Sequence, residues 1–248
     1  MTQNFYALSS KLQGTLTLPG DPDYDEARAV YNAMHDRRPA GIVKALDVSD
    51  IVATVNFARE QGLLLAIRGG AHSVPGFGTC DDGLVLDLGN MNEATVDTAS
   101  KTVHVQPGST LADMDKATHE FGLAVPGGTV SSTGVAGLTL GGGMGHLSRS
   151  CGLSCDNLLR AQVVTANGEI LNCSSQENTN LFWAIRGGGG NFGVVTSFTF
   201  KAFPIETIYG GPTMFRIDGD VMRYYTAPVI MSAKMKPPLP TAIPTCLQ

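Results

Sequence analysis

Three glycine-rich segments hold the residues of this chain best suited to chemistry. The first reads Arg68-Gly69-Gly70-Ala71-His72-Ser73, the second spans residues 127–145, and the third spans 186–193. Glycine lacks a Cβ and reaches positive φ freely, so in such loops peptide N–H groups converge on an anion and backbone approaches a ligand closely. A single loop of this kind is a turn. Three of them set between apolar strands read as a cradle for a compact, multiply charged group such as a diphosphate. His72 closes the first segment with an imidazole that is a nucleophile when neutral. His146 follows the glycines of the second segment and is a candidate pocket residue. His35, His104 and His119 fall on surface helix or strand positions and read as structural.

Composition and motif context exclude several classes. The formal net charge of -5 disfavours a surface that tracks nucleic-acid phosphates. No apolar run is long enough for a membrane helix, and the opening residues lack the basic start and apolar stretch of a signal peptide. The five cysteines are an odd number at scattered positions, so they form no disulfide framework and imply a reducing cytoplasm. Cys151 and Cys155 lack a second pair or a histidine pair at zinc spacing, and no metal site is expected. Gly188-x-Gly190-x-x-Gly193 matches the dinucleotide fingerprint by letters alone. That fingerprint needs a strand before it and a helix after it, whereas here the expected order is the reverse.

The elements that must position these loops are legible in outline. Residues 42–46 read as a strand. Ser49 offers a cap for a helix whose apolar face carries Ile51, Val55 and Ala58 and which stops at Gly62. Residues 63–67, 84–88 and 102–106 read as further strands. Thr110 and Asp113 form a capping box for a helix running to Gly122. Asn167-Gly168 marks a hairpin between 161–166 and 169–172, followed by a short helix at 181–185 and a strand at 194–200. Helices and strands first, then glycine loops and a hairpin, make an α+β fold. Residues 1–36 read as an N-terminal segment and 37–206 as the main domain. Residues 207–248 end in a proline-rich tail.

Taken together, the motifs resemble the vanillyl-alcohol oxidase / p-cresol methylhydroxylase superfamily, with its PCMH-type FAD-binding domain. The nearest branch is the berberine-bridge-enzyme-like oxidoreductases. The resemblance rests on Arg68 to Ser73, then Pro126-Gly127-Gly128-Thr129, Thr133-Gly134-Val135-Ala136-Gly137 and Gly141-Gly142-Gly143-Met144-Gly145. Asp156-Asn157 and Phe182-Trp183-Ala184-Ile185-Arg186 carry it further along the chain. It implies two α/β subdomains gripping FAD, followed by a substrate domain that this chain only begins. It also implies cofactor contacts from these motif positions and from Gly193 and Val195 beyond them. In that family the histidine matching His72 bonds to the flavin 8α-methyl. A second bond, from a cysteine, has its counterpart at Val130, which cannot form a thioether, so a single covalent link is expected. The residue controlling oxygen access has its counterpart at Thr133.

The implied activity is removal of a hydride from a carbon of a small molecule bearing oxygen or nitrogen, with flavin N5 as acceptor and dioxygen as the final oxidant. The family's base is often a tyrosine of the substrate domain. Tyr209, Tyr224 and Tyr225 lie at its start, and none is marked as catalytic by its neighbours. Two other readings of the chain are a non-catalytic FAD-binding module and a glycine-rich binding domain without flavin.

Overall fold

A computed structural model describes residues 5–205 of the chain. Tyr209, Tyr224, Tyr225 and the proline-rich tail lie outside the described residues. Seven α-helices are placed among the described residues: α1 (Phe5–Ser9), α2 (Tyr24–Arg28), α3 (Val48–Gln61), α4 (Leu111–His119), α5 (Val135–Leu140), α6 (Ser148–Cys151) and α7 (Thr179–Ala184). The strands fall into two main sheets, giving the expected α+β fold with two subdomains.

The first sheet has the order β1-β2-β4-β3, from β1 (Thr15–Thr17), β2 (Gly41–Lys44), β3 (Leu65–Arg68) and β4 (Leu84–Asp87). β4 pairs in parallel with both β2 and β3, while β1 adds an antiparallel edge. The β2–α3–β3 crossover lays α3 on this sheet, and Ile51, Val55 and Ala58 bury against Val43, Leu84 and Leu86 as the helical spacing requires. The helix stops where glycine can take the left-handed conformation, at Gly62 (φ 65°). Its cap differs from expectation. The N-cap is Asp47, whose carboxylate accepts the Asp50 amide at 3.0 Å, and Ser49 instead donates its hydroxyl to Asp47 at 2.6 Å. The hydroxyl of Ser49 and the amide of Asp50 hold the Asp47 carboxyl below its ordinary pKa. A depressed carboxylate stabilises the fold at neutral pH, and that contribution is lost as pH falls through its folded pKa.

The second sheet is antiparallel, in the order β5-β6-β10-β8-β9. Its strands are β5 (Ala94–Asp97), β6 (Thr102–Val105), β8 (Leu158–Val164), β9 (Ile170–Ser174) and β10 (Val194–Lys201), and β7 (Leu123–Ala124) pairs separately with β11 (Phe203–Pro204). Central β10 buries Phe198 and Phe200 in a core shared with Leu111 and Met114 of α4 and Phe182 of α7. The Thr110–Asp113 capping box is present in full. The hairpin forms around Gly168 (φ 79°), but β8 begins three residues earlier than expected and ends two earlier. The second glycine segment is not all loop, since α5 forms inside it. The Val164 and Val194 side chains join the core of the first sheet, so the two cores touch.

Asp50 ties the N-terminal edge to the helix. It is fully buried, and its carboxylate accepts the amides of Gln13 (2.7 Å), Gly14 (3.0 Å) and Leu46 (2.8 Å). Removing it leaves three amides without an acceptor. Asp50→Ala is therefore expected to lower stability by about 3 kcal/mol, read as a lower urea midpoint with an unchanged slope. A midpoint equal to wild type would show that water satisfies these amides equally well.

Candidate functional site

The ends of β3 and β4 open into a groove of about 390 Å³. Its position follows from topology, because loops leaving the carboxyl ends of adjacent parallel strands diverge and leave a crevice. Arg68, Gly69, Gly70 and Ala71 form one wall, while Gly89, Gly108 and Ser132 come from other loops. Small residues dominate because the loops meet backbone to backbone. A Cβ on Gly70 would sit 2.3 Å from the Gly134 nitrogen, and one on Gly108 would sit 1.8 Å from the Leu88 carbonyl oxygen.

Arg68 is 4% exposed, and its guanidinium points into the protein. It donates to Asp87 at 2.8 Å and to the Ala27 carbonyl at 2.6 Å, with a longer bond to the Ala29 carbonyl. Asp113 is likewise engaged, by the Thr110 cap. Arg68 and Asp87 are thus committed to each other and Asp113 to the Thr110 cap, while Glu26 and Lys44 complete the groove's charged side chains, Lys44 with Asp23 at 4.0 Å. The amides of Gly70, Ala71 and His72 donate to no group among the described residues. Unused amides beside a side-chain-free wall suit a diphosphate, so the residues present fit the phosphate-bearing part of FAD.

His72 follows directly on Ala71, which takes φ 58°. Its ring stacks on Tyr31 with centroids 4.0 Å apart and planes 18° apart, and its Nε2 lies 3.1 Å from Ser132 Oγ. Ser73 caps the following turn by accepting the Phe77 amide at 3.0 Å. Ser132 is positioned from both sides: the Ala112 and Leu111 amides of α4 donate to the carbonyls of Ser131 and Thr133.

The other sequence-derived positions divide. Pro126 is buried and its carbonyl accepts the Ser154 hydroxyl at 2.7 Å. Gly145 packs so tightly on Gly127 that a Cβ would meet the Gly127 carbonyl oxygen at 1.8 Å, and Gly128 faces Leu111 and Leu138. Thr133, Gly134, Gly141 and Gly142 frame α5, and Gly137 projects from it into open space. Thr129, Val130 and His146 are exposed. Gly193 and Val195 do not line the groove. Gly193 (φ 135°) lets β10 start against Val164, and the Val195 side chain lies in the core of the second sheet. The third glycine segment follows α7 and precedes β10, the order that excludes a Rossmann phosphate loop. Its Arg186 instead bonds the Cys155 carbonyl at 2.8 Å and lies over the Phe182 ring. Sequence reasoning missed Asp87, Gly89, Gly108, Ser132 and Tyr31. Of these only the Pro107-Gly108 turn carried a local signal.

A family model described as an FAD binding domain matches residues 39–174. The chain is 44% identical over 215 residues to an FAD-linked oxidoreductase of Dictyostelium discoideum, covering 86% of this chain and 47% of that protein. Among solved structures, it is similar to 6-hydroxy-D-nicotine oxidase of Arthrobacter nicotinovorans, with 38% identity and a TM-score of 0.77 over 78% of this chain and 43% of the other. BBE-like 1 of Physcomitrella patens gives 34% identity and a TM-score of 0.77, over 80% and 44% of the two chains. Glucooligosaccharide oxidase of Acremonium strictum, described with a 6-S-cysteinyl, 8α-N1-histidyl FAD, gives 32% and 0.75 over 80% and 42%. The chain spans about half the length of the curated relatives it matches.

Two outcomes follow from the packing. Gly70→Ala is expected to push the loops apart and to lower the thermal midpoint, at a cost of about 2 kcal/mol; an unchanged midpoint would mean that the Gly134 backbone yields freely. Burial pushes the Cys80 and Cys155 thiols up and the Cys173 thiol up to about 11, so at neutral pH all three are neutral and shielded. Iodoacetamide at neutral pH should therefore label the half-buried Cys151 and spare these three, as read by peptide mass mapping.

Proposed function

Because the chain belongs to the FAD-binding-domain family of FAD-linked oxidoreductases, in its berberine-bridge-enzyme-like branch, we propose that the groove holds the FAD diphosphate and that His72 carries the flavin through a single bond to its 8α-methyl. The observation that carries this reading is the placement of His72. Its ring is held on two sides, directly beside the Gly70 and Ala71 amides, which donate to no group among the described residues. When bound, FAD supplies the two-electron acceptor for removal of a hydride from a C–H bond next to oxygen or nitrogen, with dioxygen taking the electrons onward.

The chain's own contribution is to bind, anchor and orient. The loops after β3 and β6 present backbone to the phosphates and exclude bulky side chains from the groove. The buried Arg68–Asp87 pair fixes the ends of β3 and β4, and with them the direction in which the His72 loop leaves the sheet. Val130 has no sulfur to offer, so a second covalent bond, a thioether, is not made there. Thr133, whose carbonyl accepts the Leu111 amide at 2.9 Å, stands at the position that governs oxygen access by resemblance. The substrate proposed is a small molecule with an oxidisable alcohol or amine carbon, and no base is assigned among the described residues.

Acid precipitation of the purified protein tests the reading. Yellow colour is expected in the pellet, and His72→Ala should move it entirely to the supernatant while FAD still binds. Flavin that stays with the pellet in His72→Ala would displace the attachment to another residue.

A further inference from the structure

His72 is gripped by two residues that are remote in sequence. Tyr31 comes from the segment between α2 and β2, and its amide donates to the Ala71 carbonyl at 3.2 Å while its ring covers one face of the imidazole. Ser132 comes from the loop before α5, which the first amides of α4 hold by its carbonyls. One partner fixes the ring plane, and the other fixes its rotation within that plane.

We infer that Tyr31 and Ser132 are positioning residues for covalent attachment, with Ser132 engaging Nε2 and so presenting Nδ1, the N1 of the 8α-N1-histidyl FAD described for glucooligosaccharide oxidase, to the flavin. This rests on the proposed attachment at His72. A neutral imidazole carries one proton, and with that proton on Nε2, donated to Ser132 Oγ, the lone pair of Nδ1 lies free in the ring plane. Bond formation replaces one C–H bond of the flavin 8α-methyl and the imidazole N–H with one C–N bond. The two electrons and two protons released reduce the isoalloxazine ring, and dioxygen takes them up as hydrogen peroxide. Nε2 then holds a lone pair and no proton. A hydroxyl serves both states, accepting from Nε2–H before the bond forms and donating to bare Nε2 afterwards. A carboxylate could do only the first of these and an ammonium only the second.

The test follows attachment rather than turnover. The full chain is incubated with FAD, and acid-precipitable flavin is recorded against time alongside total bound flavin. Ser132→Ala is expected to slow incorporation at saturating FAD by about tenfold per bound flavin, the scale of one lost hydrogen bond. Ser132→Thr should restore the rate. Tyr31→Ala should slow it, while Tyr31→Phe, which keeps the stack, should not. Nitrogen NMR of the histidine-labelled protein without flavin should show the His72 Nε2 resonance moving in Ser132→Ala. Wild-type incorporation rates in both alanine variants would overturn the inference. So would a Ser132→Ala protein whose incorporation falls only in proportion to its total bound flavin, since that marks a role in binding and none in attachment. A wild-type protein whose flavin is all released by acid overturns the attachment reading itself, and this inference with it, while leaving FAD binding intact.

Discussion

Gly70 and Gly134 meet with their backbones in contact, and a Cβ on either would lie within 2.4 Å of the other's nitrogen. That approach joins the loop leaving β3 to the loop entering α5, and hence the first subdomain to the second. The same device recurs where Gly108 lies on the Leu88 carbonyl and where Gly145 lies on Gly127. Side chains at these points would separate the loops by the width of a methyl group, enough to break the contacts that define the groove. The glycines are therefore required twice. They let the loops close on one another, and they leave bare amides along the surface so formed.

A wall of backbone needs something rigid behind it, and the Arg68–Asp87 pair supplies this. The two residues face each other across the parallel register of β3 and β4, at the strands' carboxyl ends. A buried guanidinium is tolerated only when it is paired and hydrogen-bonded, and here Asp87 and the Ala27 and Ala29 carbonyls accept three of its N–H donors. Replacing the arginine by lysine would keep the charge and lose the fork that spans strand and N-terminal segment. The motif's arginine thus acts on the site from behind. It fixes where the glycines begin while its guanidinium is engaged by Asp87 and the Ala27 and Ala29 carbonyls.

What the sequence disclosed and what it withheld divide by the range of the interaction. The α4 capping box, the Gly62 stop and the apolar face of α3 are local patterns within a few residues, and each stands as read. The glycine segments and His72 were legible because positive φ and close approach restrict residue type at single positions. The cap of α3 was misread because Asp47 and Ser49 both suit the role, and only the backbone shows which residue precedes the first helical turn. β1 and β5 escaped notice because both are half exposed and so short that the alternation of β5, Ala94 and Val96 inward, covers only four residues. Tyr31 and Ser132 carry no pattern at all. Their contacts with His72 cross about forty and sixty residues of chain, and nothing local distinguishes an exposed tyrosine from one stacked on an imidazole.

The N-terminal segment acquires a purpose from the same geometry. Ala71 sits in the left-handed region that non-glycine residues avoid, at a cost on the order of 1 kcal/mol. Such a conformation persists only when its surroundings over-determine it. Tyr31 takes the Ala71 carbonyl, Asn32 and His35 reach the Val74 carbonyl, and Arg37 reaches those of Gly76 and Thr79 at 2.9 and 2.8 Å. Gly76 is shaped for this embrace, since a Cβ there would strike the His35 ring at 2.8 Å. A nucleophile on a free loop would sample many orientations, and only a small fraction of them would be competent to bond a ligand lying in the groove. By strapping the loop on both sides of His72, residues 27–37 remove that entropy during folding, before any cofactor arrives. The strained alanine is then the consequence of holding the imidazole still, and the segment that holds it belongs to the site as much as the glycines do.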